Sequence, residues 1–161
     1  MPLIKDWQTK TKTTEAELQS WQQQFHDFNI GLPLGDASGF CGIDVDGEAG
    51  VKILMDMSQG DLPSTWEFNT SAGSRLLYKI PEGLKTKKFK QAGTGEHEEC
   101  ALLCTGQQTV MPPSTHVSGI TYQWVEGHSP KDMDCAMAPT WLAKAIEISL
   151  EVSLSQPSKE Y

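Results

Sequence analysis

Asp44 and Asp46 stand one residue apart in the segment Gly39-Phe40-Cys41-Gly42-Ile43-Asp44-Val45-Asp46-Gly47. The segment reads as a short buried strand, and side chains on a strand alternate between its two faces. Both carboxylates therefore share one face, with Ile43 and Val45 on the other. Two carboxylates held side by side repel, and a divalent cation is the usual compensation. Hard oxygen donors suit Mg²⁺ or Mn²⁺, ions that bridge to phosphate groups. The competing reading is a turn in which Asp46-Gly47 merely ends an edge strand, since Asp-Gly is also a turn signal. The pair alone does not choose between the two.

Two other groups of residues invite chemical readings. Lys85, Lys87, Lys88 and Lys90 concentrate positive charge in Lys85-Thr86-Lys87-Lys88-Phe89-Lys90, with Phe89 available to stack on a base. Such a run is a candidate for contact with nucleic acid, or else a solvated loop. The four cysteines, Cys41, Cys100, Cys104 and Cys135, contain no CxxC pair. Cys100 and Cys104 lie in an apolar, strand-like run, which points to buried reduced thiols behaving as small hydrophobes rather than to zinc.

The elements that must position these residues are short. The chain has 161 residues and a formal net charge of -8, which suits a single domain spanning 1–161 with one core. The charge disfavours tight nonspecific DNA binding, which depends on neutralising phosphates, but leaves room for a local patch and transient contact. No apolar run of about 18 residues exists to span a membrane. Nor does Met1-Pro2-Leu3-Ile4-Lys5-Asp6 have the pattern of a secretion signal, so a cytoplasmic protein is expected.

Thr14-Glu15-Ala16-Glu17 matches a capping box, opening a helix to about Asp27 with Leu18, Trp21 and Phe25 on one face. Asn29–Leu34 and Phe40–Asp46 read as strands joined by the turn Gly35–Gly39, a hairpin-like pair with the acids near its far end. A helix is expected over Glu48–Ser58, then strands over Thr65–Thr70 and Arg75–Ile80. Glu99–Cys104 and Gln107–Met111 read as two strands around Thr105-Gly106. Pro112-Pro113 stiffens the next segment into an extended form. Ile120–Val125 is a further strand, with Tyr122 and Trp124 on one face. A helix near Pro139–Leu154 closes the chain through Trp141, Leu142, Ala145 and Ile146. The fold class is mixed α+β, with mostly antiparallel strands and a helix at each end.

Three segments, taken in order, resemble a known family. They are Asn29-Ile30-Gly31-Leu32 with Ile43-Asp44-Val45-Asp46-Gly47; Thr70-Ser71-Ala72-Gly73-Ser74-Arg75-Leu76-Leu77-Tyr78; and Gly106–His116 with Ser118-Gly119 and Tyr122-Gln123-Trp124. Together they are similar to the bifunctional DNA primase/polymerase (prim-pol) domain of the archaeo-eukaryotic primase superfamily. Lys5-Asp6-Trp7 and Pro139-x-Trp141-Leu142 look like that family as well.

The resemblance implies an RRM-like catalytic core packed against a second small unit, with the active site between them. It also implies two-metal polymerisation with Mg²⁺ or Mn²⁺, nucleoside triphosphates and a single-stranded DNA template, in plasmid, phage or prophage replication. Relatives carry a strand and helix before the Lys5-Asp6-Trp7 segment, which this chain is expected to lack. They are often followed by a helicase-type ATPase. No Walker-type GxxxxGK[ST] occurs in this sequence, so that partner is expected in cis or in trans.

Residue by residue, the resemblance assigns Asp44 and Asp46 as the metal-binding pair. Ser74 and Arg75 fall where relatives contact the triphosphate. Leu76 stands in place of a histidine, leaving the forked guanidinium of Arg75 as the suitable phosphate contact; an exposed hairpin arginine is the alternative. The later acid of the family aligns with Ala101, and Glu99, two residues earlier on the same face, is the substitute for the third metal ligand. Ser114 and His116 occupy a Pro-Pro-Ser-x-His segment that can reach phosphate or ribose oxygens. The leading expectation is therefore a primase/polymerase. A degenerate relative that binds nucleotide or nucleic acid without polymerising is the second reading, given Leu76 and Ala101. A metal-dependent phosphohydrolase or nuclease built on Asp44 and Asp46 is the third.

Overall fold

Alternation along one strand decides which side of the molecule is core and which is site. In a computed structural model that describes residues 2–87 and 97–147, β2 (Phe40–Asp46) turns Cys41, Ile43 and Val45 to one side. All three are buried beneath α2 (Gly47–Ser58) and α3 (Thr140–Ile146), packed with Leu54, Leu142 and Ile146. Each apolar side chain so buried contributes on the order of 1.5–3 kcal/mol. Phe40, Gly42, Asp44 and Asp46 take the opposite face.

β2 lies inside a five-stranded antiparallel sheet ordered β5-β2-β4-β3-β7. Its members are β3 (Trp66–Asn69), β4 (Gly73–Lys79), β5 (Cys100–Leu103) and β7 (Gln123–Trp124). A second sheet pairs β1 (Ile30–Pro33) with β6 (Gln108–Met111), also antiparallel. Leu32, Val110 and Met111 of that pair pack onto a second core containing Leu34, Phe68, Leu77 and Tyr122, on the acid-bearing side. The architecture is α+β, as expected: α2 and α3 on one face of the main sheet, a two-stranded unit on the other. All four cysteines are buried, and none of them forms a disulfide among the described residues.

The strand partners differ from the expected hairpins. β1 does not pair along β2, and β5 does not pair along β6; the four strands exchange partners, giving β1–β6 and β2–β5. Of the first hairpin only the Gly35–Phe40 bridge remains, with the Gly35 N–H donating to the Phe40 carbonyl at 2.7 Å. The turns cause the exchange. Gly35 has φ +79, and a Cβ there would overlap the backbone of Thr105. The two turns therefore pack directly on each other, and the Asp36 N–H donates to the Thr105 hydroxyl at 3.1 Å. Each chain pass crosses from one sheet to the other at this level.

Other elements are shorter than their patterns suggest. α1 (Glu15–Gln24) begins with the expected capping box, the Thr14 N–H donating to Glu17 at 2.8 Å. It stops at Gln24 rather than Asp27 and buries none of its residues, leaving Leu18 exposed. Pro112-Pro113 forms a turn rather than an extended segment, closed by the Ser114 N–H donating to the Met111 carbonyl at 3.0 Å. Ile120–Tyr122 folds back against Ser114–His116 instead of continuing β7. The bonds responsible run from the His116 N–H to the Ile120 carbonyl and from the Tyr122 N–H to the Ser114 carbonyl. α3 spans Thr140–Ile146; the expected helical residues beyond 147 lie outside the described residues. No helix among the described residues is long and apolar enough to cross a membrane.

α2 reaches the sheet by close backbone approach. A Cβ at Gly50 would run into the carbonyl oxygen of Glu99. Gly50→Ala is therefore expected to lower stability by about 1–3 kcal/mol, because neither helix backbone nor strand carbonyl can yield cheaply. A fall in the urea unfolding midpoint at unchanged slope would register the loss; an unchanged midpoint would refute the contact.

Candidate active site

The site face of the main sheet is built by cross-strand register. β2 and β4 pair so that Asp44 lies opposite Arg75, Asp46 opposite Gly73 and Gly42 opposite Leu77. Directly opposed residues project from the same face. Arg75 thus meets Asp44 across the strands, donating to its Oδ1 from Nε at 3.0 Å and from Nη2 at 2.7 Å. Nη1 donates to the Thr109 hydroxyl of β6 at 2.9 Å. One guanidinium therefore ties the main sheet to the two-stranded unit. Both ends of the ion pair are largely shielded, Arg75 at 15% and Asp44 at 17% side-chain exposure, so water screens it less than a surface pair.

Aromatic rings form the floor beside this pair. Phe68 of β3 lies opposite Arg75 and is fully buried. It makes edge contacts with Tyr122 at 6.0 Å and Trp124 at 5.5 Å. Burial pushes the Tyr122 phenol above its usual range; the Arg75 charge opposes this and the Asp44 charge adds to it. The His116 ring meets Tyr122 edge-on at 6.2 Å. Its Nδ1 accepts from the Ser118 N–H at 3.1 Å, so Nε2 is the ring's remaining polar position.

Asp46 sits one strand step further, about 7 Å along from Asp44, at the start of α2. It is the helix N-cap but makes no side-chain cap bond. Glu98 caps the helix instead, its carboxylate accepting from the Ala49 N–H at 2.9 Å. Burial raises the Asp46 carboxyl above its usual range, the Asp44 charge raises it further, and Arg75 and His97 oppose. Glu99 also raises it, which places that acid within electrostatic reach. β5 pairs Asp44 with Ala101 and Val45 with Cys100, and the Asp46 N–H donates to the Glu99 carbonyl at 2.8 Å. Burial, then the charges of Asp44 and Glu99, push the Cys100 thiol up to about 12.

The expected site residues divide accordingly. Asp44, Asp46 and Arg75 come together, and Glu99 lies level with Asp46 rather than with Asp44. Ala101 occupies the position facing Asp44 and is buried. Ser74 lies opposite Val45, on the helix-covered face, away from Arg75. Leu76 lies opposite Ile43 on that same face and belongs to the core there. A histidine at position 76 would enter apolar packing, so Leu76 removes nothing from the acid-bearing face.

The Ser114 hydroxyl accepts from the Ile30 N–H at 2.8 Å and pins the start of β1. His116 adjoins the Tyr122 edge of the site. Lys85 and Lys87 are exposed, on a segment held by Thr86 to Asp36, by the end of β2 remote from Asp46. The fold does not bring them to the acids. Lys88 and Lys90, with Phe89, lie outside the described residues.

Two contributors lie in segments of the family resemblance but are not singled out there as site residues. Thr109, fully buried, is a polar residue inside an apolar strand, but its partner is visible only once β6 is seated. Tyr122 reads from sequence as sharing a strand face with Trp124, and only the fold places it beside Arg75 and Asp44.

The donor chemistry fits a hard divalent cation in part. Asp44 and Asp46 supply carboxylate oxygens from one face, and their mutual repulsion is what such an ion relieves. Among the described residues, however, no three His, Cys, Asp or Glu side chains converge on a ready metal site.

The sequence matches the family described as bifunctional DNA primase/polymerase, N-terminal, over residues 1–141. No curated protein and no solved structure gives a significant match.

The raised Asp46 carboxyl has a measurable consequence for metal-free protein. Between the ordinary aspartate value, about 3.9, and its raised folded value, the folded state binds more protons than the unfolded state. Stability must then fall as pH rises through that window, and the penalty persists above it. Asp46→Asn abolishes the penalty. In EDTA the variant is expected to melt above the parent at pH 7, with the difference closing below about pH 4. A variant that melts at or below the parent at pH 7 contradicts this.

Proposed function

The chain belongs to the bifunctional DNA primase/polymerase family by its N-terminal domain, and from that premise we propose a template-directed nucleotidyltransferase that makes and extends primers from (d)NTPs. The family supports primase/polymerase activity of the nucleotidyltransferase type. The observation that carries the finer reading is the placement of Asp44, Asp46 and Arg75 on one sheet face, where the two-stranded unit meets the main sheet.

Asp44 and Asp46 would hold Mg²⁺ or Mn²⁺, with Glu99, whose charge acts on Asp46, as a further acid on that side. When bound, such an ion neutralises triphosphate charge and lowers the pKa of the attacking 3′-hydroxyl. The chain's own residues supply the rest. Arg75 presents a planar fork of donors suited to phosphate oxygens. Phe68 and Tyr122 wall the site with apolar surface, which strengthens charge interactions inside it. His116 offers Nε2 to a phosphate or sugar oxygen at the Tyr122 edge. Transfer of this kind needs positioning and electrostatic stabilisation more than covalent help from the protein.

A single-stranded template would run over the exposed surface near the site. Lys85 and Lys87 are a secondary contact at most, given where they lie; Lys88 and Lys90 stay candidates for template contact. Unwinding would come from a helicase-type ATPase in cis or in trans, and plasmid, phage or prophage replication is the setting the family suggests.

One observation favours a second reading. Ala101 faces Asp44 where the family resemblance expects an acid, so the domain could bind nucleotide without polymerising. Primer extension with Mn²⁺, labelled dNTP and a primed template separates the two. Extension is expected, and Asp44→Ala is expected to reduce it by roughly 10²–10³-fold or more, as for loss of other groups that stabilise transition-state charge. Nucleotide binding without extension in the parent would favour the second reading. Metal-dependent degradation of the DNA would point instead to a nuclease.

A further inference from the structure

Arg75 lies within the site and already has a partner. Two of its nitrogens reach a single oxygen of Asp44, and its third is held by the buried Thr109 hydroxyl. The same guanidinium is the group on this face best suited to bind phosphate. It cannot bond Asp44 and a phosphate through the same N–H groups at once. Asp44, likewise, cannot give its Oδ1 both to Arg75 and to a cation.

Charge makes the conflict quantitative. Asp44, Asp46 and Arg75 together carry one net negative charge. Removing the arginine leaves two, on a surface shielded enough that the difference is not lost to solvent. Ala101, facing Asp44 from β5, adds no charge at that level.

We propose that Arg75 is an exchangeable counter-ion: it occupies Asp44 in the ligand-free protein and releases it when an anionic phosphate takes the guanidinium. Cation and triphosphate binding are then coupled through one side chain. Each ligand removes the partner that weakens the other, as thermodynamic linkage requires. The inference rests on the reading of Asp44 and Asp46 as a cation site and Arg75 as a phosphate ligand.

The exchange predicts two opposite responses in separate binding experiments on the full chain. In the first, Mn²⁺ alone is titrated without nucleotide and followed by loss of the free-ion EPR signal. Arg75→Met is expected to tighten Mn²⁺ binding about tenfold over the parent, a modest share of what one nearby charge can exert on a divalent ion. Arg75→Lys, which keeps the charge, should show no such gain, and Asp44→Asn added to Arg75→Met should cancel it.

In the second, a fluorescent dNTP is titrated in EDTA and followed by anisotropy. Asp44→Asn frees the guanidinium and is expected to tighten metal-free triphosphate binding several-fold. Arg75→Met should weaken it. Circular dichroism confirms folding, and Arg75→Gln replaces Arg75→Met if the latter does not fold. The proposal is overturned if the neutral substitution leaves Mn²⁺ affinity unchanged or weaker, or if Asp44→Asn leaves triphosphate affinity unchanged or weaker. If parent and variants bind neither Mn²⁺ nor triphosphate, the underlying reading of the site falls too, a result distinct from binding without coupling.

Discussion

The Arg75–Asp44 ion pair depends on a register that could have been otherwise. A one-residue slip of β4 against β2 would move Arg75 to the helix-covered face and bring Ser74 or Leu76 opposite Asp44. The slip is prevented from the other side of the sheet. Ile43 opposes Leu76 and Cys41 opposes Tyr78, and all four are buried under α2 and α3. Apolar burial on one face thereby sets the spacing of charges on the other. This is why core substitutions beneath α2 should be felt at the site although none touches it.

The second constraint is the exchange of strand partners. Had β1 paired with β2 and β5 with β6, two local hairpins would have formed, and the acid-bearing face would have lacked its cover. Packing of the Gly35–Gly39 turn against Thr105 diverts both chain passes and seats β1–β6 over the sheet. Thr109 then reaches Arg75 from above, so the ion pair is closed in by an element distant in sequence. Asp36 and Thr86 add a polar knot at this crossing, the Thr86 N–H donating to Asp36 at 3.1 Å.

Local signals in the chain were reliable where the physics is local. The capping box at Thr14 and Glu17, the apolar stripe that became α2, and the alternation of Ile43–Asp46 all act within a few residues. Partner choice is not local: a glycine turn between two strands has the same composition whether the strands pair or part. The hairpin expectation failed for that reason. Arg75 could be flagged from residue type and from the family resemblance, but its bond to Asp44 needs the register. Thr109 and Tyr122 needed the whole topology. The placement of Ser74 and Leu76 follows from alternation once β4 is paired, and it removes the apparent loss of a histidine at position 76 from consideration.

The same register bears on the missing acid. At the level of Asp44 the sheet carries one negative and one positive group, with Ala101 on the edge strand β5 adding no charge. One step along, Asp46 stands level with Glu99, while Gly73 opposite brings no side chain. Burial first, then the charges of Asp44 and Glu99, raise the Asp46 carboxyl, opposed by Arg75 and His97. Glu98 is occupied at the N-terminus of α2, where its carboxylate accepts from the Ala49 N–H. A cation drawn to this face would gain the Asp44 oxygen that Arg75 holds only as Arg75 is drawn off. Ala101 and Arg75 then describe one arrangement: where no acid faces Asp44, an arginine neutralises it.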